Sequence, residues 1–183
     1  MKKSWIVLLL AVLLAGCEAE NLYTKDYLCR FTFFASMHPE SKLLTALDPL
    51  STGVFARVSA EQRQGVWHLK VNLNDDKTSE DLTLSLTKEN QISYDLGANN
   101  ALIIGYSAFS GLKAYDRQCP NCLDSLGGYN YPLNWTHNGQ WVECAKCNRQ
   151  YALENGTVMS GNGGRQLLEY RASYNQTMLT VYN

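Results

Sequence analysis

The chain is poor in several things, and each scarcity narrows what it can do. Histidine occurs three times, at His38, His68 and His137, and no two of these share a metal-ligand spacing. There is no block of lysine or arginine, and the net charge is −1, so a nucleic-acid partner has no electrostatic support. No apolar run reaches the roughly 20 residues that a membrane-spanning helix needs. No nucleophile motif, paired-carboxylate signature or phosphate-cradling glycine loop is present, so no catalytic residue is expected. Internal repeats, low-complexity tracts and long helical periodicity are also missing. Apolar residues still make up 45% of the chain, which is enough for a packed core and argues against global disorder.

What the chain does have is alternation. Tyr27–Phe34 is aromatic-rich, Gly53–Val58 reads as a strand, and Val66–Leu73 and Leu82–Leu86 alternate around an Asn74–Lys77 turn. Residues 37–50 hold Pro39 and Pro49, so any helix there is short. Ala101–Tyr106 reads as a buried strand, followed by Leu112–Tyr115. Asn138-Gly139 and Asn155-Gly156 are strong hairpin signals, and a last hairpin crosses Tyr174-Asn175-Gln176. The expected class is all-β, an antiparallel sandwich-like body of short strands. No linker composition forces a domain cut.

Four of the six cysteines stand in two Cys-x-x-Cys pairs, Cys119/Cys122 and Cys144/Cys147. Thiolates are soft ligands, and two such loops can complete a tetrahedron around one ion. The pairs are 21 residues apart, close to the usual zinc spacing of about 15–20. Leu123–Tyr131, with Gly127-Gly128, reads as a loop, and a hairpin then leads to the second pair. Trp135 and Trp141 are candidates to shield the site. Two alternatives stay open: structural disulfides, which persist outside the cytoplasm, and active thiols of the thioredoxin type. Against the latter, neither pair opens a convincing helix.

The N-terminus carries Lys2 and Lys3, then WIVLLLAVLL, then Leu14-Ala15-Gly16-Cys17. This resembles a bacterial lipoprotein signal with its lipobox. The resemblance implies removal of residues 1–16, lipidation at Cys17, a short tether over 17–25, and a domain over 26–183 whose metal-binding part begins near 98. It also implies a place in the bacterial cell envelope, facing the periplasm or exposed at the surface. The membrane would be one partner and an unidentified envelope protein another.

From Ala101, ALIIGYSAFSGLKAYDRQC resembles the approach to the first ligand loop of Rieske-type iron–sulfur domains. CAKCNRQYALENGTVMSGNGGRQLLEYRASYNQTMLTV, from Cys144, resembles the remainder of that domain: an aromatic strand, a glycine turn, a glycine-rich connection and closing strands. The resemblance implies a Rieske-like fold with two rubredoxin-like metal knuckles. The departures bear on the chemistry. Rieske loops read Cys-x-His and Cys-x-x-His, whereas here Cys122 and Cys147 stand in the histidine positions. Asn148 replaces a glycine, and the proline of the glycine-rich connection is absent. An ordinary Rieske cluster, whose potential depends on its imidazoles, is therefore not expected.

A four-thiolate site remains, with zinc as the favoured filling and iron, mononuclear or as a 2Fe-2S cluster, as the alternative. The functions weighed are a zinc-stapled binding or assembly module, an electron-transfer component, and a thiol oxidoreductase. His68 is expected on a strand surface, His38 in a loop, and His137 at a turn, as a candidate extra ligand. Cys29 reads as a small buried hydrophobe. Asp116, Arg117 and Glu143 read as solvated loop residues that can tune charge near the site. The glycine-rich run Gly161–Gly164 reads as a turn.

Overall fold

The computed structural model describes residues 22–183; the signal-like segment and Cys17 lie outside the described residues. Strands follow one another with few helical turns: β1 (Cys29–Phe33), α1 (Leu43–Ala46), β2 (Phe55–Arg63), β3 (Val66–Leu73), β4 (Ser79–Leu84), α2 (Thr87–Asn90), β5 (Asp95–Leu96), β6 (Ala101–Ser107) and β7 (Gly111–Asp116). Then come α3 (Pro120–Leu126), β8 (Leu133–Thr136), β9 (Trp141–Cys144), β10 (Gln150–Ala152), β11 (Val158–Ser160), β12 (Arg171–Tyr174) and β13 (Leu179–Tyr182). Every strand pairing is antiparallel, as the alternation implies.

The strands form three sheets, β4-β3-β2-β6-β7, β12-β13-β1-β5 and β11-β10-β9-β8. The five-stranded sheet is the middle layer. On one face, Val58, Leu69, Val71, Leu102 and Ile104 pack against Phe31, Phe33, Leu179 and Val181 of the sheet that joins the two ends of the described chain. On the other, Phe55, Ile103 and Tyr115 pack against Leu133, Val142, Cys144 and Tyr151 of the cysteine-bearing sheet. β6 is thus buried on both faces, which is why it reads as an unbroken apolar run. Each fully buried Leu, Ile or Phe contributes roughly 1.5–3 kcal/mol.

β4 runs Ser79–Leu84 rather than Leu82–Leu86, and two further boundaries differ from the sequence reading. β2 runs five residues past Val58, through a polar stretch that looks like loop. Its ladder with β3 continues to Arg63↔Val66, where Gln64 and Gly65 turn the chain with φ of 51° and 83°. Ion pairs hold this end of the sheet, Lys70–Glu61 at 3.1 Å within the hairpin and Arg63–Asp81 at 2.8 Å from β2 to β4. The second difference lies just after Cys119. Pro120–Leu126 is a short helix with Cys119 at its N-cap and proline at the first turn, where a missing N–H does no harm. The first Cys-x-x-Cys pair therefore does open a helix, and the expected loop begins only at Gly127, whose φ of 70° ends it.

Candidate metal centre

The first cysteine loop is held by its backbone. Cys119 N–H donates to Tyr131 O at 2.9 Å, and Leu133 N–H to Arg117 O at 2.9 Å. Beneath it lies Asp116, fully buried rather than solvated. Its carboxylate accepts from Ala98 N–H at 2.7 Å, Gln118 N–H at 2.7 Å and the Tyr170 hydroxyl at 2.9 Å. Burial raises its pKa, and those three donors offset part of the rise. Asp116 thus ties the start of the cysteine loop to the turn before β6 and to the segment that enters β12. Gln118, also buried, accepts Tyr131 N–H at 2.6 Å.

The second loop is the β9–β10 turn. Cys144 lies directly opposite Leu133 in the β8–β9 ladder. Asn148 N–H donates to Cys144 O at 2.8 Å, and Asn148 adopts φ 57°. Asparagine enters the left-handed region more readily than most side chains, so it serves in place of the glycine expected there.

The two loops bring Cys119, Cys122, Cys144 and Cys147 together, with all four sulfurs within 4.8 Å of one another. Two contacts run between the loops: Cys119 Sγ to Cys147 Sγ at 3.6 Å and Cys122 Sγ to Cys144 Sγ at 3.7 Å. A tetrahedral zinc–thiolate site with bonds of about 2.3 Å implies sulfurs about 3.8 Å apart. The arrangement fits one ion in the middle of four thiolates. Cys119, Cys122 and Cys144 are buried, and Cys147 is partly exposed.

Burial pushes the Cys119 and Cys122 thiols up. At Cys147 burial also acts upward, but hydrogen bonds from the Arg149 side chain and backbone, with the neighbouring thiols, outweigh it and the pKa is lowered.

Three residues besides the cysteines complete the centre. The Tyr151 hydroxyl lies 3.2 Å from Cys119 Sγ. Asn121, between the first two cysteines, donates to the Tyr151 oxygen at 2.9 Å and pairs with the Arg165 backbone, at 2.8 Å to its O and 2.9 Å from its N–H. Arg149 donates to Asn162 O at 2.7 Å and Gly163 O at 2.9 Å. One residue from each cysteine loop therefore holds the glycine-rich connection. Gly164 sits so near Asn121 Oδ1, with φ 132°, that a side chain there would collide with it. The asparagine inside one Cys-x-x-Cys and the arginine two residues past the other were the available sequence signals.

The remaining candidates fall away from the sulfurs. His137 is exposed and stacks on Trp141, with centroids 3.9 Å apart, and is not among the clustered ligands. Trp135 packs against the core that includes the cysteines. Trp141 lies on the opposite face of β9 from Val142 and Cys144, so it does not shield them. His38 is more than a loop residue: its Nε2 pairs with buried Glu89 at 2.6 Å. His68 pairs across strands with Asp81 at 3.2 Å. Cys29 is fully buried, and burial pushes its thiol up to about 12, as suits a small hydrophobe.

Fold and site define an antiparallel β protein with a four-cysteine metal-binding site. No family model matches the chain, and no curated protein matches it. A crystal structure described as a nitrite reductase NADPH (small subunit) oxidoreductase protein is similar over 49% of this chain and 82% of its own, at 15% identity and a TM-score of 0.32. A likeness at that level concerns the path of part of the chain and says nothing of activity.

Proposed function

We propose that the protein is a membrane-anchored envelope lipoprotein whose β domain is stapled by one structural zinc ion at Cys119, Cys122, Cys144 and Cys147, and that it acts as a non-catalytic binding or assembly module. The observation that carries the metal reading is the gathering of four sulfurs within 4.8 Å from two separate loops. That spread suits a single ion. A 2Fe-2S cluster would place a second metal between the ligand pairs and need them further apart. A closed four-thiolate set offers no open position for substrate, which supports a structural role. When bound, zinc supplies cross-linking between loops that a short hairpin and a seven-residue helix hold only weakly by themselves. The lipobox at Cys17 supports the anchor. Among the described residues, no helix is long and apolar enough to cross a membrane.

One observation favours a second reading, electron transfer by a single iron at the same cysteines: Cys147 is partly exposed and brings an edge of the centre to solvent. Metal analysis and visible absorption of the full chain, purified anaerobically in mild detergent, separate the two. One zinc per chain without colour supports the staple. A coloured iron centre bleached by dithionite overturns it in favour of electron transfer.

A further inference from the structure

Several apolar side chains that the core does not use gather where the tether enters the domain. Leu22, Leu28, Leu126 and Tyr129 are 78%, 53%, 53% and 60% exposed. Contacts tie them into one surface. The rings of Tyr27 and Tyr129 meet edge to face, with centroids 6.0 Å apart. The carbonyl of Leu28 accepts Gly97 N–H at 3.1 Å, and Asn99, two residues on, reaches Asn130, beside Tyr129, at 3.4 Å. Leu126 ends α3, and the Tyr131 hydroxyl donates to the Gly127 carbonyl between Leu126 and Tyr129. Leu22 lines a cleft with Thr24 and Arg165. Arg165 pairs with Asp26 and, at 3.3 Å, with Asp124 of α3, which joins that cleft to the Tyr27–Tyr129 contact.

Charge on this surface is balanced. The Arg165 guanidinium stands between the carboxylates of Asp26 and Asp124, and Lys25 is exposed alongside. Two bases against two acids leave little field to steer a charged partner, so apolar and aromatic contact carries whatever docks there. The length of chain ahead of Leu22 says what that is. Cys17, the proposed lipid site, stands five residues before Leu22, a reach of at most about 18 Å. A bilayer holding the lipid therefore lies within that distance of the surface that Leu22 opens. Leucine and tyrosine suit the headgroup level, where a tyrosine ring keeps its body in apolar surroundings and its hydroxyl in water. Phe109, 92% exposed, stands apart from this surface at the β6–β7 turn. The length of β6, about 23 Å for seven residues, separates it from the end where Gly97 holds Leu28.

We propose that Leu22, Tyr27, Leu28, Leu126 and Tyr129 form a face that rests on the lipid bilayer beside the anchor. The proposal rests on the lipid anchor at Cys17 and adds an orientation to it. Acyl chains on a short tether hold a domain near the membrane but leave it free to turn. An apolar face next to the tether removes that freedom, because its burial among the headgroups is favourable and costs little further ordering. Contact at this face sets α3, and with it Cys122, close to the bilayer, and points the β6–β7 turn away from it. Since the face is neutral, the contact does not require anionic lipid.

The test is tryptophan fluorescence of the full chain, extracted from membranes and reconstituted in phosphatidylcholine vesicles, with brominated acyl chains as the quencher. Intact mass first reads the anchor, and a chain that starts at acylated Cys17 is expected. After subtraction of the wild-type emission, Tyr129→Trp should add a blue-shifted signal that the bromines quench. Phe109→Trp, at the far end of β6, should add a signal that they do not. Placing Leu28→Asp and Leu126→Asp in the Tyr129→Trp chain should abolish the quenching, while high salt should leave it unchanged. All four positions are exposed, and far-UV circular dichroism checks the fold of each variant. A lipidated chain in which Tyr129→Trp is quenched no more than Phe109→Trp, or in which the two aspartates leave its quenching unchanged, overturns the face and leaves the anchor standing. A chain without acyl groups on Cys17 overturns the anchor and the proposal with it.

Discussion

The hydroxyl of Tyr151 sits 3.2 Å from the sulfur of Cys119, while its oxygen accepts the amide N–H of Asn121 at 2.9 Å. With that lone pair engaged, the hydroxyl proton is free to point at the sulfur. A thiolate there gains a fixed donor, so Tyr151 orients and stabilises a ligand it does not replace. Tyr151→Phe should keep the fold and weaken metal affinity by about tenfold. Competition with a chromophoric chelator measures this, and unchanged affinity would remove the O–H···S bond from the account.

Metal and fold should rise and fall together. Zinc in comparable four-ligand sites supplies about 10–16 kcal/mol of apparent binding free energy. Stripping the metal with chelator, or replacing Cys119 by serine, should lower the melting temperature, and added zinc should restore it only in the wild type. A melting curve indifferent to chelator would show that the cysteines do not staple the domain.

The four-cysteine site should bind metal more tightly as pH rises. Burial pushes the Cys119 and Cys122 thiols above their ordinary value, so the metal-free protein keeps them protonated at neutral pH. Ligands must be thiolates, so the free state holds more protons than the bound state and binding releases them. Titrations in buffers of different ionisation enthalpy should reveal that release, and a pH-independent affinity would contradict it.

Cys147 should be the reactive thiol of the metal-free protein. It is partly exposed, and Arg149 outweighs the effect of burial to lower its pKa. Brief iodoacetamide treatment followed by peptide mass spectrometry should find Cys147 alkylated well before Cys119, Cys122 or Cys144. Metal loading should protect it.

Gly139 locks the cysteine-bearing sheet to the middle one. Asn74 donates to its carbonyl at 2.9 Å while accepting Phe55 N–H at 3.1 Å, and the α-carbon of Gly139 faces the Asn74 backbone at φ 81°. Gly139→Ala adds a methyl where there is no room, in a conformation alanine disfavours, and should cost about 1–3 kcal/mol. Urea denaturation should show a lower midpoint with the slope unchanged.

Several of these features are legible in the residues themselves. The Val66–Leu73 alternation became β3, and Asn138-Gly139, with φ of 53° and 81°, became the β8–β9 turn. Both rest on neighbours in the chain, through side-chain period and through backbone angles that asparagine and glycine tolerate. Asp116 was not legible. A carboxylate beside an arginine reads as solvated loop, and only three donors, two of them from distant positions, make its burial tolerable. The helix after Cys119 is a single short element whose proline and cap say where it can start but not that it forms.

By itself, the sequence determined the all-β class and the identity of the four thiol ligands, because strand periodicity and Cys-x-x-Cys spacing are local properties. Tertiary structure alone decided that β6 is buried on both faces, that Cys119 Sγ comes within 3.6 Å of Cys147 Sγ and Cys122 Sγ within 3.7 Å of Cys144 Sγ, and that Asp116 is buried. Those are outcomes of packing between segments far apart in the chain. Which groups lose water, and which charges are left facing one another, is settled only when the sheets close.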